Sequence, residues 1–216
     1  MKIEIWSDIA CPFCYIGRRH LELAAEELPF RDELEVHWRS FQLDPAAEVE
    51  QDRDTITMLA EKYGMSREQA AENQRQVAQR AAEVGLEMSE TGGIPTNTAD
   101  AHRLLHLARE HSLADELKVS LFQAHFAGGK NVGQRDVLRE LATSVGLPAA
   151  EVDQVLDSDR FATDIIAEQQ EGQGLGVQGV PFFVLDRKYA LSGAQPPEVF
   201  RQALTQAWEE KQQHSQ

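Results

Sequence analysis

The chain has 216 residues, 42% hydrophobic and 26% charged, which is typical of a globular protein with one large domain or a core domain carrying an inserted subdomain. Its formal net charge of −15 at pH 7 repels phosphate backbones and anionic lipids, so we expect neither nucleic acid nor a membrane among its partners. No apolar run is long enough to span a membrane. Glu4 and Asp8 interrupt the N-terminal segment before a secretion signal could form, so we expect a cytoplasmic protein.

The first 45 residues predict a β-α-β unit. Residues 2–8, KIEIWSD, alternate in the manner of a strand, and residues 34–43, LEVHWRSFQL, predict a second strand. Between them, residues 15–28 carry apolar side chains at helical spacing. Cys11 and Cys14 therefore lie at the junction of the first strand and the first helix.

Residues 53–158 predict a helical block without a strand. A capping box of Ser66 and Gln69 opens one of its helices. Two helical patterns, residues 99–112 and 113–129, follow each other closely and predict a helical hairpin.

The C-terminal part predicts the order α-β-β-α. Residues 160–176 form a helical pattern that ends among glycines. Residues 180–193, VPFFVLDRKYALSG, predict two strands around a tight turn at Asp186 and Arg187. Residues 196–213 predict an amphipathic helix that begins with proline.

This order of elements predicts the α/β class, as a thioredoxin fold interrupted by an all-helical insertion subdomain. We assign residues 1–52 and 159–216 to the thioredoxin-like domain and residues 53–158 to the insertion. A parallel β-α-β start has a right-handed crossover. It places the N-terminus of the first helix beside the carboxyl end of the first strand, where the sites of α/β proteins usually form.

Cys11 and Cys14 are the only cysteines, and a structural disulfide, a metal site and a redox pair are the roles open to them. As a structural disulfide they would close a very short loop, which removes little entropy from the unfolded chain. Zinc would need two more ligands. His102 and His106 have helical spacing, but their segment lacks the glutamate of a metalloprotease motif. We therefore favour a redox or thiol site over zinc or inert thiols, and predict no metal.

The position of Cys11 predicts which cysteine attacks. Cys11 precedes Pro12, a residue favoured at the first helical position, so its sulfur should face unpaired N–H groups and the positive end of the helix dipole. Both features stabilise a thiolate. We expect Cys11 to have the lower pKa and to attack, and Cys14, one turn later, to resolve the intermediate.

Pro181 stands at the start of a predicted strand, where its missing N–H is tolerated. Its bond to Val180 is trans on base rates, and only the cysteine motif raises the expectation of cis. Asn97, Thr98 and His102 lie where the helical block could overhang the cysteines. Equally, Thr98 could simply cap a helix and His102 could pack inside.

Two motifs together resemble a known family. The CPFC segment after a strand and GVPFFVLDRKYALSGAQ near the C-terminus resemble the DsbA-like thioredoxin-fold oxidoreductases, above all their FrnE-type cytoplasmic branch. That branch is related to 2-hydroxychromene-2-carboxylate isomerases and kappa-class glutathione transferases. The resemblance covers essentially the whole chain, including NTADAHRLLHLA at residues 97–108.

The resemblance implies a thiol–disulfide oxidoreductase. Cys11 would be the nucleophile, Cys14 the resolving thiol and Pro181 a cis-proline facing them, while the Val180 backbone would pair with an extended substrate. The redox-active disulfide Cys11–Cys14 would replace any tightly bound cofactor. The substrates would be protein or small-thiol disulfides, with glutathione or another small thiol as co-substrate, a reductase as partner, and a homodimer as the assembly often found in related folds.

The isomerase and transferase relatives carry serine at the position of Cys11, which favours dithiol chemistry here. The alternative is a glutathione-dependent isomerase or transferase acting on aromatic metabolites, and a third reading is a non-catalytic zinc or partner-binding domain. Periplasmic DsbA has Pro-His where this chain has Pro12-Phe13, so we expect a less oxidising pair. The expected substrate-binding residues are Pro12, Phe13, Val180, Asn97, Thr98 and His102.

Overall fold

The computed structural model describes residues 1–214. Its sheet has four strands in the order β2-β1-β3-β4. They are β1 (Lys2–Ser7), β2 (Glu35–Ser40), β3 (Phe182–Leu185) and β4 (Tyr189–Ser192). β1 pairs in parallel with β2 and antiparallel with β3, and β4 extends the sheet antiparallel to β3.

Helices precede, interrupt and follow these strands. They are α1 (Pro12–Glu26), α2 (Thr55–Tyr63), α3 (Arg67–Glu83), α4 (Ala99–Glu110), α5 (Ala114–Phe126), α6 (Arg135–Ser144), α7 (Ala149–Leu156), α8 (Ala162–Gly174) and α9 (Pro197–His214), with a short 3-10 helix at Arg31–Glu33. The described chain between β2 and α8 contains α2 to α7 and no strand. The predicted fold class is thus confirmed, while the domain boundaries stay a prediction. Within residues 1–214, no helix combines the length and the apolar composition that crossing a bilayer requires.

Local sequence signals explain several element ends. Ser66 and Gln69 form the expected reciprocal capping box at the start of α3. Gly64 ends α2 with a φ of 64°, in the left-handed region that glycine adopts most readily. Asp186 and Arg187 both have positive φ, as the central residues of a type I′ turn require, and the Lys188 N–H closes this turn on the Leu185 carbonyl.

Two hydrophobic cores meet at α5. The first surrounds the sheet face that carries Ile3 and Ile5, against α1 and α9, and it also contains both cysteines. The second fills the helical block. Leu121 of α5 belongs to the second core and Phe122, the next residue, to the first. The helical block is therefore packed directly against the cysteine motif.

Candidate active site

Cys11 is the N-cap residue of α1, and Pro12 follows it at the first helical position. Its backbone is extended, with φ −97° and ψ 110°, and its carbonyl accepts a hydrogen bond from the Cys14 N–H at 3.1 Å. Both cysteines are free thiols, 4% and 1% exposed. The predicted placement of Cys11 at the N-terminus of the first helix is confirmed.

The second motif lies against the first. The Val180–Pro181 peptide bond is cis. The Cys11 thiol donates a hydrogen bond to the Val180 carbonyl at 3.5 Å, although the two residues are 169 positions apart in the sequence. Gly17, on the next turn of α1, permits this approach. A Cβ added there would lie 3.1 Å from Pro181 Cγ and 3.2 Å from the Phe183 ring. A larger residue at position 17 would therefore push the second motif away from α1.

A cavity of about 620 Å³ opens in front of Cys11, between the sheet domain and the helical block. Phe13, 39% exposed, and Val180 stand between this cavity and a second groove of about 500 Å³. The expected site residues in the cavity wall are Cys11, Pro12, Phe13, Thr98 and Val180, and Pro181 lines the second groove. Cys14 lies behind Cys11, away from the wall.

Asp8, buried just before the cysteine motif, anchors three segments. Its carboxylate accepts the Ile9 N–H at 2.7 Å and the Leu43 N–H at 2.8 Å, and lies 3.2 Å from His102 Nε2. The side chain of Thr98 also hydrogen-bonds to it. Burial raises the pKa of Asp8, but the hydrogen bond and charge of His102 and the other donors lower it to about 2. Asp8 is therefore ionised beside the thiols.

Two further titratable side chains from α5 are buried here. Lys118 is 1% exposed, and its Nζ lies 5.2 Å from the ring centre of Trp38 and 5.0 Å from that of Phe122. Burial lowers its pKa to about 8, against the opposing charges of Cys14 and Asp8. Burial also lowers the pKa of His125 to about 4, and its buried Nδ1 has no hydrogen-bond partner.

The groups around the two thiols act on both pKa values together, and the expected order, with Cys11 lower, stays a prediction. Burial raises the pKa of Cys14, but hydrogen bonds from Cys11 and Ser7 and the charge of Lys118 lower it overall. The pKa of Cys11 is raised by its hydrogen bond to Cys14, by burial and by the negative charges of Cys14 and Asp8. The expectation was based on the N-terminus of α1 alone and did not include the side chains that lie behind this helix. Cys11 is nevertheless the sulfur that faces the cavity.

The three residues expected to overhang the cysteines have different positions. Asn97 lies outside the cavity wall: its side chain donates to the carbonyls of Ala47 and Pro45 and accepts the Ala99 N–H at 2.8 Å. It thus fastens a loop and caps α4. Thr98, at the N-cap position of α4, makes no capping hydrogen bond and lines the cavity. His102 is buried against Asp8.

His102 and His106 do not share a site. His106 points to Ser40, with Nε2 3.1 Å from its hydroxyl, whereas His102 bonds to Asp8. Within the described chain, no group of three or more histidine, cysteine or acidic side chains could hold a metal ion.

Sequence reasoning missed Asp8, Lys118 and His125 as parts of the site. One signal was available for Lys118, because it stands three and four positions before Leu121 and Phe122, on an apolar helical face. A lysine on such a face is buried or emerges at its edge, and only the packing of α5 decides between the two.

A parallel β-α-β start, with two cysteines at the N-terminus of α1 and the segment before β3 packed against the first of them, is the arrangement of the thioredoxin-fold oxidoreductases. The family model of the DsbA-like thioredoxin domain matches residues 2–205. The chain belongs to this family and is a DsbA-like oxidoreductase.

Solved structures agree with this assignment. The probable DsbA oxidoreductase SCO1869 from Streptomyces coelicolor is 46% identical, with a TM-score of 0.93 over 97% of this chain and 91% of that one. Two others share the fold alone. A 2-hydroxychromene-2-carboxylate isomerase is 14% identical, with a TM-score of 0.74 over 100% of both chains. The cytosolic disulfide reductase DsbM from Pseudomonas aeruginosa with GSH is 17% identical, with a TM-score of 0.67 over 97% of this chain and 100% of that one.

Proposed function

We propose that the protein is a thiol–disulfide oxidoreductase that uses Cys11 and Cys14 as its redox pair. The observation that carries the proposal is the position of Cys11, which occupies the N-cap position of α1, faces a cavity and lies 3.5 Å from the Val180 carbonyl. Cys14 lies one turn further along α1, as the resolving thiol of the proposed pair.

The pair first loses one proton to solvent, from Cys14. The Cys11 proton then passes to the Cys14 thiolate, and the resulting Cys11 thiolate attacks one sulfur of the substrate disulfide. A Cys11–substrate disulfide forms, and the other substrate sulfur leaves as a thiolate. Attack by Cys14 on Cys11 then forms the Cys11–Cys14 disulfide and releases the second substrate sulfur. Reduction of that disulfide by a thiol or a reductase restores the pair.

The surroundings of Cys11 support an extended disulfide-bearing segment as substrate. Phe13 and Val180 stand between the large cavity and the second groove, so a bound chain would cross Cys11 with contacts on both sides. The Val180 backbone would pair with it as an added strand. Protein and small-thiol disulfides both fit this arrangement.

The partners of this reaction are also proposals. The structure of DsbM with GSH supports glutathione or another small thiol as co-substrate, since that protein has the same fold. We also propose that a reductase is its partner, that it assembles as a homodimer and that it is located in the cytoplasm.

Two single substitutions test the function. Cys11→Ser should abolish reduction of insulin disulfides, because it removes the attacking sulfur. Cys14→Ser should instead accumulate a mixed disulfide, which peptide mass spectrometry would locate on Cys11. Undiminished reduction by Cys11→Ser, or a mixed disulfide absent from Cys14→Ser, would contradict the proposal.

A glutathione-dependent isomerase or transferase acting on aromatic metabolites is the second candidate. The cavity supports it, because about 620 Å³ beside Cys11 is enough for an aromatic compound. The two candidates respond oppositely to Cys11→Ser, since the isomerase and transferase relatives use serine at this position. Glutathione-dependent turnover of an aromatic substrate that persists in Cys11→Ser would favour this candidate over disulfide reduction.

A further inference from the structure

We propose that Lys118 is the buried cation that stabilises the Cys14 thiolate, both when Cys14 attacks the mixed disulfide and when it leaves the Cys11–Cys14 disulfide. This inference rests on the proposed function and adds to it a residue from the helical block. It makes that block part of the redox chemistry as well as a wall of the cavity.

The placement of Lys118 is the first argument. It is 1% exposed, and the side chains next to it on the buried face of α5 are apolar. Cys14, Trp38 and Phe122 belong to one hydrophobic core, and the Lys118 ammonium stands over both aromatic rings of that core. Burying an ammonium costs several kcal/mol unless an anion or strong polar contacts compensate it. Aromatic faces compensate only part of that cost.

The charged groups around Lys118 provide the second argument. The charges that act on it come from Asp8, Cys11 and Cys14 around the start of α1, and from His102 on α4. Asp8 is already bound by backbone N–H groups, His102 and Thr98. The charges of both sulfurs change during the reaction, and that of Cys14 acts more strongly on Lys118 than that of Cys11, so Cys14 is the group that a cation at this position stabilises.

The chemistry needs such a cation at two points. In the mixed disulfide Cys14 is a thiol, and its proton must pass through solvent to the substrate thiolate that has already left. The Cys14 thiolate then attacks Cys11, the Cys11–Cys14 bond forms, and the remaining substrate sulfur leaves with the electron pair of the broken bond. In the opposite direction, an external thiolate attacks Cys11 and Cys14 leaves as a thiolate. Lys118 is protonated whenever Cys14 carries its negative charge, and it stabilises that anion.

The test isolates Cys14 in a Cys11→Ser background. The ultraviolet absorbance of the thiolate, followed against pH, gives the pKa of Cys14, with the Cys11→Ser/Cys14→Ser double variant as the blank. Adding Lys118→Met should raise this pKa by about 1–3 units, the usual effect of losing a nearby opposite charge. Adding Lys130→Met, at an exposed lysine paired with Glu140, should leave it unchanged. An unchanged Cys14 pKa in a folded Lys118→Met variant would overturn the inference.

A second measurement needs no substitution. Lysine labelled with ¹³C at Cε reports the titration of Lys118 in the reduced and oxidised wild-type protein. Oxidation removes the Cys14 anion, so the pKa of Lys118 should be lower in the disulfide form, and equal values in both forms would overturn the inference. Neither readout uses turnover. A lack of disulfide reductase activity would therefore contradict the proposed function without deciding the role of Lys118.

Discussion

Two buried clusters of charged groups lie on opposite faces of β1, and they are built differently. The first, here called the paired cluster, joins Glu4 and Glu168 to arginines. Glu4 bonds to Arg39 and Arg187, and Glu168 to Arg39 at 2.9 Å and Arg109 at 3.0 Å. The second, here called the thiol cluster, consists of Asp8, Cys11, Cys14, Lys118 and His125.

The two clusters differ in how burial is compensated. In the paired cluster, burial raises the pKa of Glu4, but hydrogen bonds from Arg187 and Arg39 lower it to about 2. In the thiol cluster, burial dominates the shifts of Lys118 and His125, and His125 Nδ1 has no partner. Fully paired charges stabilise a fold, whereas incompletely paired groups beside reactive sulfurs can change their protonation state during a reaction. We therefore assign the first cluster to stability and the second to function.

The largest expected effect comes from breaking the paired cluster. Glu168→Gln removes the charge that holds Arg39 and Arg109 and should cost about 3–5 kcal/mol of unfolding free energy, as is usual when one partner of a buried ion pair is lost. Glu171→Gln is the matched control on the same helix, since Glu171 forms a half-exposed pair with Arg187 and should cost less than about 1 kcal/mol. Urea unfolding measures both. Equal losses, or altered redox kinetics in folded Glu168→Gln, would break the distinction between the clusters.

A fall in pH should destabilise both clusters, by less than the Glu168→Gln substitution destabilises the paired cluster. The pKa values of Asp8 and Glu4 are lowered from 3.8 and 4.5 to about 2, so their stabilisation is complete above the ordinary values and is lost as the pH falls toward 2. For the buried Asp8 the loss is on the order of 2 kcal/mol, because one pKa unit corresponds to about 1.4 kcal/mol.

The urea midpoint, followed from pH 5 to 2, measures this loss. Asp8→Asn should show a shallower decline than the wild type, because it lacks one of the titrating groups. Parallel curves for the two proteins would show that folding does not lower the pKa of Asp8.

The smallest expected effect is at His125. His125→Phe replaces a buried imidazole that lacks one hydrogen-bond partner with an apolar ring of similar shape, so the free energy of unfolding should change by no more than about 1 kcal/mol. Thermal unfolding at neutral pH measures it. A loss as large as that expected for Glu168→Gln would show that His125 is paired in solution and belongs with the structural charges.

Local patterns in the sequence predicted most of the fold. Alternation located β1, strand-like runs bounded by turn residues located the other three strands, the capping box located the start of α3, and Asp186 and Arg187 marked the hairpin turn. Each of these signals acts within a few residues, so the sequence displays it directly. The cysteine positions relative to α1 follow from the same kind of local reasoning.

The electrostatics of the site could not be predicted in this way. The order of the thiol pKa values depends on Lys118, more than 100 positions from the cysteines, and on the burial of Asp8. Asn97 was expected near the substrate, but its amide fastens a loop whose carbonyls no sequence pattern points to. These contacts exist only after α5 packs against α1 and α4 packs against α5, and packing of distant segments leaves little trace in local sequence.

The central claim is that Cys11 and Cys14 exchange electrons as a pair, and a redox titration tests it most directly. The protein is equilibrated in glutathione buffers of increasing GSSG to GSH ratio, quenched with acid, alkylated and analysed by mass spectrometry. We predict a single two-electron transition from two alkylated thiols to an intramolecular Cys11–Cys14 disulfide. Two thiols that stay reduced across the whole range, or that acquire only separate glutathione adducts, would contradict the account.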